Sequence, residues 1–430
     1  MLSREDNELI TRTSAGTPMG HLIRRYWIPA LLSEEIPALD CPPVRVKILS
    51  EELVAFRDSN GRIGLIGEHC AHRGTSLFFG RNEACGLRCI YHGWLYDVNG
   101  KIIDMPGEAD GGKSFRDSIC HKAYRVQERG GVIFAYMGPG EPPLFPSYQF
   151  LNAPADRTFA IKLYSECNYL QGNEGNIDLA HLSFLHYNRN TLTRYGVGAD
   201  VEQLNSRGAA PGQEAYDVEI TDYGVRSYKI WHSAKPGFYH LYVTEFVLPN
   251  LTTFGGVGYA MGGYSVNWHV PIDDSRHWKY TFMYSTKDAI SAETLRRNRA
   301  QMTPDYQPLN NRAKRYNQQR QSMRTEGYSG MGLNFQVQDL CVTEGMGPIM
   351  DRTKEHLTPM DRPMITSRKL LLNAIQELQK GREPVNVARE PQRNHFQLVA
   401  CEDLVPESTP WKEYIRGKIA GQNSSWETLS

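Results

Sequence analysis

Two short pairs of metal-ligand residues constrain this chain more than any other feature. Cys70 and His72 stand in the text CAHRG, Cys89 and His92 stand in CIYHGW, and sixteen residues lie between His72 and Cys89. Ligands spaced by one or two residues reach a common centre only from tight loops that the fold brings together. Gly74 and Gly93 supply the backbone freedom that such loops need. The surrounding text is β-rich: VRVKIL, LVAF, RIGLI and GVIFAYMG alternate with turn signals, DSNG at 58–61 and DVNG at 97–100. A small all-β domain carrying a four-ligand centre is the expectation.

Two kinds of centre fit two Cys and two His. One is a tetrahedral Zn²⁺ site. The other is a Rieske [2Fe–2S] cluster, with both thiolates on one iron and two neutral imidazoles on the other. The wider context, C-x-H-R-G with C-x-x-H-G-W-x-Y-D, is more specific than either pair alone and places Trp94 and Tyr96 over the ligand loops.

The proline-rich stretch GPGEPPLFP at 138–146 reads as a boundary. We expect an N-terminal helical segment over 1–30, with Thr17 as N-cap and Pro18 as first helical residue, the all-β domain over 31–147, and a second domain over 148–430. In the second domain, 165–186 reads as helix. YDVEI, VRSYKIW, FYHLYVTEFVL, YSVNWHV and WKYTFMY read as strands, and ITSRKLLLNAIQELQKG as a helix ending at a Gly. The fold class is α+β, with an antiparallel sheet surrounded by helices.

A second constellation lies in NEGNIDLAHLSFLHYN: Glu174, Asp178, His181 and His186. On a helix Asp178 and His181 share a face. His186 does not, so the helix must loosen or end near Ser183 for both imidazoles to meet one metal. Two His and one carboxylate with open positions form the facial triad of ferrous oxygenases. On its own a D-x-x-H-x-x-x-x-H string also fits an ordinary polar helix. The third ligand must come from NFQVQDLCVTEGMGPIMDRTKEHL, where Asp339, Glu344 and Asp351 are the carboxylates at issue and His356 reads as a structural histidine.

Taken together these texts resemble the Rieske non-haem iron aromatic-ring oxygenases. TPMGHLIRRYW, LNNRAKRYNQQRQ and EGMGPIMDRTKEHL extend the resemblance over nearly the whole chain, toward the phthalate dioxygenase-like branch. The resemblance implies that Cys70, His72, Cys89 and His92 bind the cluster, and that His181, His186 and Asp339 bind a mononuclear Fe(II), the Q-D pair 338–339 matching the family's distal ligand. It implies that Asp178 bridges a ligand His to a cluster His of a neighbouring subunit, and that Glu174 stands near the iron without ligating it. Thr75 and Tyr91 occupy the places where respiratory Rieske proteins carry two further Cys, so that disulfide is absent.

The activity implied is that of a terminal oxygenase component. It would use O₂ and electrons from an NAD(P)H-dependent reductase carrying FMN and a [2Fe–2S] cluster to hydroxylate an aromatic acid-type substrate, within a homotrimer. O-demethylation of a methoxylated aromatic acid is the alternative. A Rieske electron carrier or redox sensor is the alternative of a different class, and the complete set Asp178, His181, His186, Asp339 argues against it. For an anionic substrate, Arg189, Arg194 and Arg226 are candidates, because a guanidinium pairs bidentately with carboxylate. Where phthalate-binding members carry an Arg in a strand, this chain has Tyr242, which favours a phenolic or methoxylated acid.

Charge adds exclusions. Lys plus Arg and Asp plus Glu are 48 each, which gives no argument for a nucleic-acid or membrane partner. MLSREDNELI has no apolar core of a secretory signal, so a cytoplasmic location is expected, with the eight cysteines reduced. No G-x-G-x-x-G opens a helix after a strand, so electrons must come from a separate protein.

Overall fold

A computed structural model of the chain describes residues 1–186, 214–233, 235–255, 263–293 and 301–426, with side chains to 421. The N-terminal helices Arg4–Thr11 and Pro18–Ile23 begin at side-chain caps, Ser3 and Thr17, and the second has Pro18 in its first turn. Strand β1 (Trp27–Leu32) follows at once, so extended structure starts before residue 31.

Three small antiparallel sheets build the N-terminal domain. One is β2 (Val44–Ile48), β3 (Glu51–Arg57) and β4 (Ile63–Gly67); a second is β5 (Arg81–Glu83), β6 (Gly86–Arg88), β7 (Leu95–Tyr96) and β8 (Ile102–Asp104). The third joins β1 to β10 (Val132–Tyr136) and β9 (Arg125–Arg129). The DSNG turn closes β3 onto β4: Asp58 Oδ1 accepts from the N–H groups of Asn60 and Arg62. Asp97 does the same for Asn99 and Lys101 between β7 and β8. In each case a short carboxylate satisfies the turn's backbone donors.

The second domain is an eight-stranded antiparallel sheet in the order β11 (Thr158–Ser165), β17 (Arg276–Tyr284), β16 (Ser265–Asp273), β15 (Leu251–Phe254), β14 (Phe238–Val247), β13 (Gly224–His232), β12 (Ala215–Ile220), with β18 (Cys401–Pro406) also on β14. Helices Tyr169–Ile177 and Arg362–Gln379 lie against it, and helix Phe335–Gly345 packs on the first of these. The two domains share a core: Phe134 of β10 packs on Trp268 and Phe282 of the large sheet. Burial of such aromatic surface holds the domains together at about 25 cal/mol per Å². Among the described residues no helix is long and apolar enough to cross a membrane. All eight cysteines are free thiols.

The segment 165–186 differs from the single helix expected. The helix covers only Tyr169–Ile177, capped by the Asn168 side chain, and ends well before Ser183. Asp178 turns to extended backbone (φ −66°, ψ 119°), and its Oδ1 accepts from Ala180 N–H at 2.7 Å. That local bond replaces the next helical one. His181–Ser183 then form a short 3₁₀ turn. Asp178 and His181 therefore meet across a turn rather than along a helix face.

Candidate cluster and iron sites

The two cysteine loops have one backbone fold. Cys70 N–H bonds to Thr75 O at 2.9 Å and Gly74 N–H to Cys70 O at 2.8 Å; Cys89 N–H bonds to Trp94 O at 2.9 Å and Gly93 N–H to Cys89 O at 3.0 Å. Both glycines are left-handed, at φ 74° and 77°, which an L side chain resists. At Gly93 a Cβ would also fall 2.6 Å from Pro106 Cγ.

Both thiols are buried, at 4% and 2% exposure, while His72 and His92 lie at the surface with ring centroids 4.4 Å apart. Trp94 stacks on His72 at 4.6 Å and 10°. Tyr96 Oη accepts from Ala71 N–H at 3.0 Å and shares a hydrogen bond with Cys70 Sγ, 3.1 Å away. Burial and the neighbouring Cys70 keep that phenol protonated well above its usual range. Two buried thiols beside two exposed imidazoles match the ligand set of a Rieske cluster, with sulfur on the inner iron and nitrogen on the outer one.

The second site is assembled from two distant stretches. His181 and His186 come from the turn after the 169–177 helix, and Asp339 comes from the middle of the Phe335–Gly345 helix. His181 Nε2 and His186 Nε2 are 3.1 Å apart; Asp339 Oδ1 is 3.1 Å from His186 Nε2 and 3.9 Å from His181 Nε2. One donor atom from each residue thus lies within 4.8 Å of the others, an arrangement that could hold one metal ion.

The opposite ring nitrogens support that reading. His186 Nδ1 donates to Gln338 Oε1 at 2.6 Å, which leaves Nε2 as the lone-pair nitrogen. Gln338 is itself fixed by donating to Gly332 O at 2.7 Å. His181 Nδ1 is buried without a hydrogen bond among the described residues and lies 3.7 Å from Asp178 Oδ2. Burial, then the neighbouring His186, lower the His181 pKa toward the neutral, ligating form. Burial opposes ionisation of Asp339, but its contacts with His186, Lys279 and His181 together lower its pKa.

The other candidate residues fall elsewhere. Glu344 is turned away, accepting from Tyr316 O–H at 2.5 Å and Glu166 N–H at 2.9 Å. Asp351 is exposed and pairs with Lys354 at 3.0 Å; His356 is exposed. The Glu174 carboxylate takes no part in the three-residue group. It is clasped by Arg352 (Nε 3.0 Å, Nη2 2.7 Å) and Arg368 (Nε 2.6 Å), and Arg368 also holds Glu355. Burial would raise its pKa, but the two guanidiniums lower it.

Arg226 is buried and engaged by Glu245 at 2.7 Å and Tyr223 O–H at 2.9 Å, so its charge is already matched. Tyr242 packs in one apolar cluster with Trp231 and Leu179, two residues before His181. Arg189 and Arg194 lie outside the described residues. The partners of Glu174 (Arg352, Arg368 and Glu355) and the role of Gln338 are the features that sequence reasoning missed. Gln338 was visible only as the letter before Asp339.

Residues 26–125 match the Rieske [2Fe-2S] domain, and residues 135–427 match the LigXa C-terminal domain like family. The chain is 33% identical to the phthalate 4,5-dioxygenase oxygenase subunit of Pseudomonas putida, over 96% of this chain and 95% of that protein. It is 30% identical to the 5,5'-dehydrodivanillate O-demethylase oxygenase subunit of a Sphingobium species, over 92% and 85%. In fold it is similar to the terminal oxygenase of carbazole 1,9a-dioxygenase from Nocardioides aromaticivorans, with TM-score 0.58, 18% identity and coverage of 88% and 97%. A carbazole-bound oxygenase in complex with its ferredoxin matches with TM-score 0.53, 19% identity and coverage of 90% and 96%.

Proposed function

Because this chain belongs to the Rieske non-haem iron oxygenases, we propose that it is the terminal component that hydroxylates an aromatic acid-type substrate, with O-demethylation of a methoxylated aromatic acid as the second reading. The observation that carries the reading is the convergence of His181 Nε2, His186 Nε2 and one Asp339 oxygen, with the outer nitrogen of His186 tied to Gln338. In this reading those three residues hold Fe(II), and Cys70, Cys89, His72 and His92 hold the cluster. When bound, the two centres supply one-electron transfer and O₂ activation.

The protein's own residues do the rest. Gln338 fixes the His186 tautomer, and Asp178 faces His181 Nδ1 with its side chain about a third exposed. The cluster histidines also lie at the surface, so a carboxylate bridge across a subunit boundary can form, and we take the assembly to be a homotrimer. The exposed residues beside those histidines, Arg73, Ile90 and Tyr91, offer a docking place for an electron donor. A reductase carrying flavin and [2Fe–2S] and drawing on NAD(P)H fits that role. A cytoplasmic location fits the six cysteines outside the cluster, none of which is in a disulfide.

Tyr242 and Trp231 give the sheet an apolar, aromatic face against Leu179 of the iron turn. Arg226 is matched by Glu245, which favours the methoxylated or phenolic acid over a diacid among the substrates considered. Iron and sulfide analysis tests the centres: about three irons and two acid-labile sulfides per chain are expected. In Asp339→Ala the Rieske signal on reduction persists and product formation is abolished. Full activity in that variant removes Asp339 from the site.

A further inference from the structure

The two imidazoles of the proposed iron site are held by different parts of the molecule. His186 is tied to Gln338 of the Phe335–Gly345 helix. His181 sits on a 3₁₀ turn whose backbone bonds are local: Phe184 N–H and Leu185 N–H both bond to His181 O. So short a turn does not hold its own orientation. What holds it comes from the sheet.

Lys229 of β13 is 2% exposed. Its Nζ donates to Leu179 O at 3.3 Å and to Ser183 Oγ at 2.7 Å, and pairs with Glu214 at 2.9 Å. Leu179 and Ser183 stand two residues before and two residues after His181. Ser183 passes its own hydrogen to Glu214 Oε1 at 2.7 Å, and Glu214 also accepts from Tyr216 O–H. Across the sheet, Lys229 is in register with Tyr242, which packs on Leu179. One pair of sheet positions therefore grips the turn by polar and by apolar contact.

We infer that Lys229 is a positioning residue for His181: its ammonium clamps both flanks of the turn and sets the direction of the imidazole toward His186 and Asp339. This rests on the reading of His181 as an iron ligand. A buried ammonium that is matched by Glu214 and has both acceptors in the turn can hold that geometry. A methionine of similar length fills the space and holds neither end.

The test uses the full chain with its cluster assembled and its mononuclear iron removed, titrated with Fe(II). Lys229→Met is expected to weaken Fe(II) binding about ten-fold or more, as loss of outer contacts does elsewhere. The EPR signal of the Fe(II)–nitrosyl adduct should change while the reduced Rieske signal does not. Ser183→Ala removes one leg of the clamp and should weaken binding less. If both variants bind Fe(II) as the parent does and His181→Ala does not, the role assigned to Lys229 is wrong and the iron-site reading stands. If His181→Ala also binds normally, the iron-site reading itself falls. Should Lys229→Met not fold, Ser183→Ala decides: parental affinity overturns the inference, and weakened affinity with an intact Rieske signal supports it.

Discussion

Glu174→Gln separates a residue that builds the protein from one that acts at the iron. The Glu174 carboxylate is 5% exposed and accepts from Arg352 and Arg368, which are 0% and 2% exposed. With Glu355 the cluster holds two cations and two anions, so its buried charge is balanced. Glutamine keeps the shape but leaves one guanidinium charge uncompensated and points amide hydrogens at donors. Breaking a buried pair from one side costs about 3–5 kcal/mol. With an unfolding entropy of about 2.1 cal/mol/K per residue, a cost of about 4 kcal/mol lowers the melting temperature of a cooperatively unfolding chain of this length by about 4 °C. Calorimetry and urea titration of the holoprotein at pH 7 measure both quantities, and turnover per folded chain is measured alongside. A variant with unchanged stability and collapsed turnover would refute the reasoning, because the carboxylate's role would then lie in the chemistry.

Gln338→Leu removes the acceptor for His186 Nδ1, and the Fe(II) dissociation constant should rise about 10- to 100-fold with the Rieske signal unchanged, as read by iron titration. Tyr96→Phe removes the hydrogen bond to Cys70 Sγ and should lower the cluster's reduction potential, measured by redox titration followed by circular dichroism. His277 is buried and donates to Cys167 O, and burial drops its pKa from 6.5 to about 4. The folded value lies below the unfolded one, so its contribution is complete above pH 6.5 and is lost as pH falls toward 4. Over that window it amounts to about 3 kcal/mol, and His277→Gln should flatten the fall in urea stability between pH 7 and 5.

Much of the fold was legible because its signals are local. Alternation along VRSYKIW and YSVNWHV marks β13 and β16, and Asp-x-Asn-Gly turns mark two hairpins of the N-terminal domain. In the second domain strands β11, β15 and β18 escaped. The four residues of β15 are too few to show a period, and β18 is a strand only because β14 offers it a partner more than 150 positions away. The end of the 169–177 helix was misplaced because helical spacing continues through Asp178, while the Asp178 side chain takes over the next backbone donor.

The sequence by itself determined which ligand types exist and how they are spaced. The offset between C-x-H and C-x-x-H is readable in the letters, and so are the two glycines that let each loop turn. Resemblance pointed to Asp339 through the Q-D pair, but only tertiary structure turns Asp339, and not Glu344, toward the histidines. Both ride one helix five residues apart, and the choice depends on the side of that helix that packs toward His186. It also decided that Glu174 and Arg226 are matched by buried partners, from 178 positions away for Arg352 and from a neighbouring strand for Glu245. Charge pairing across such separations leaves no pattern along the chain, because it is set by packing between elements and not by the spacing within one.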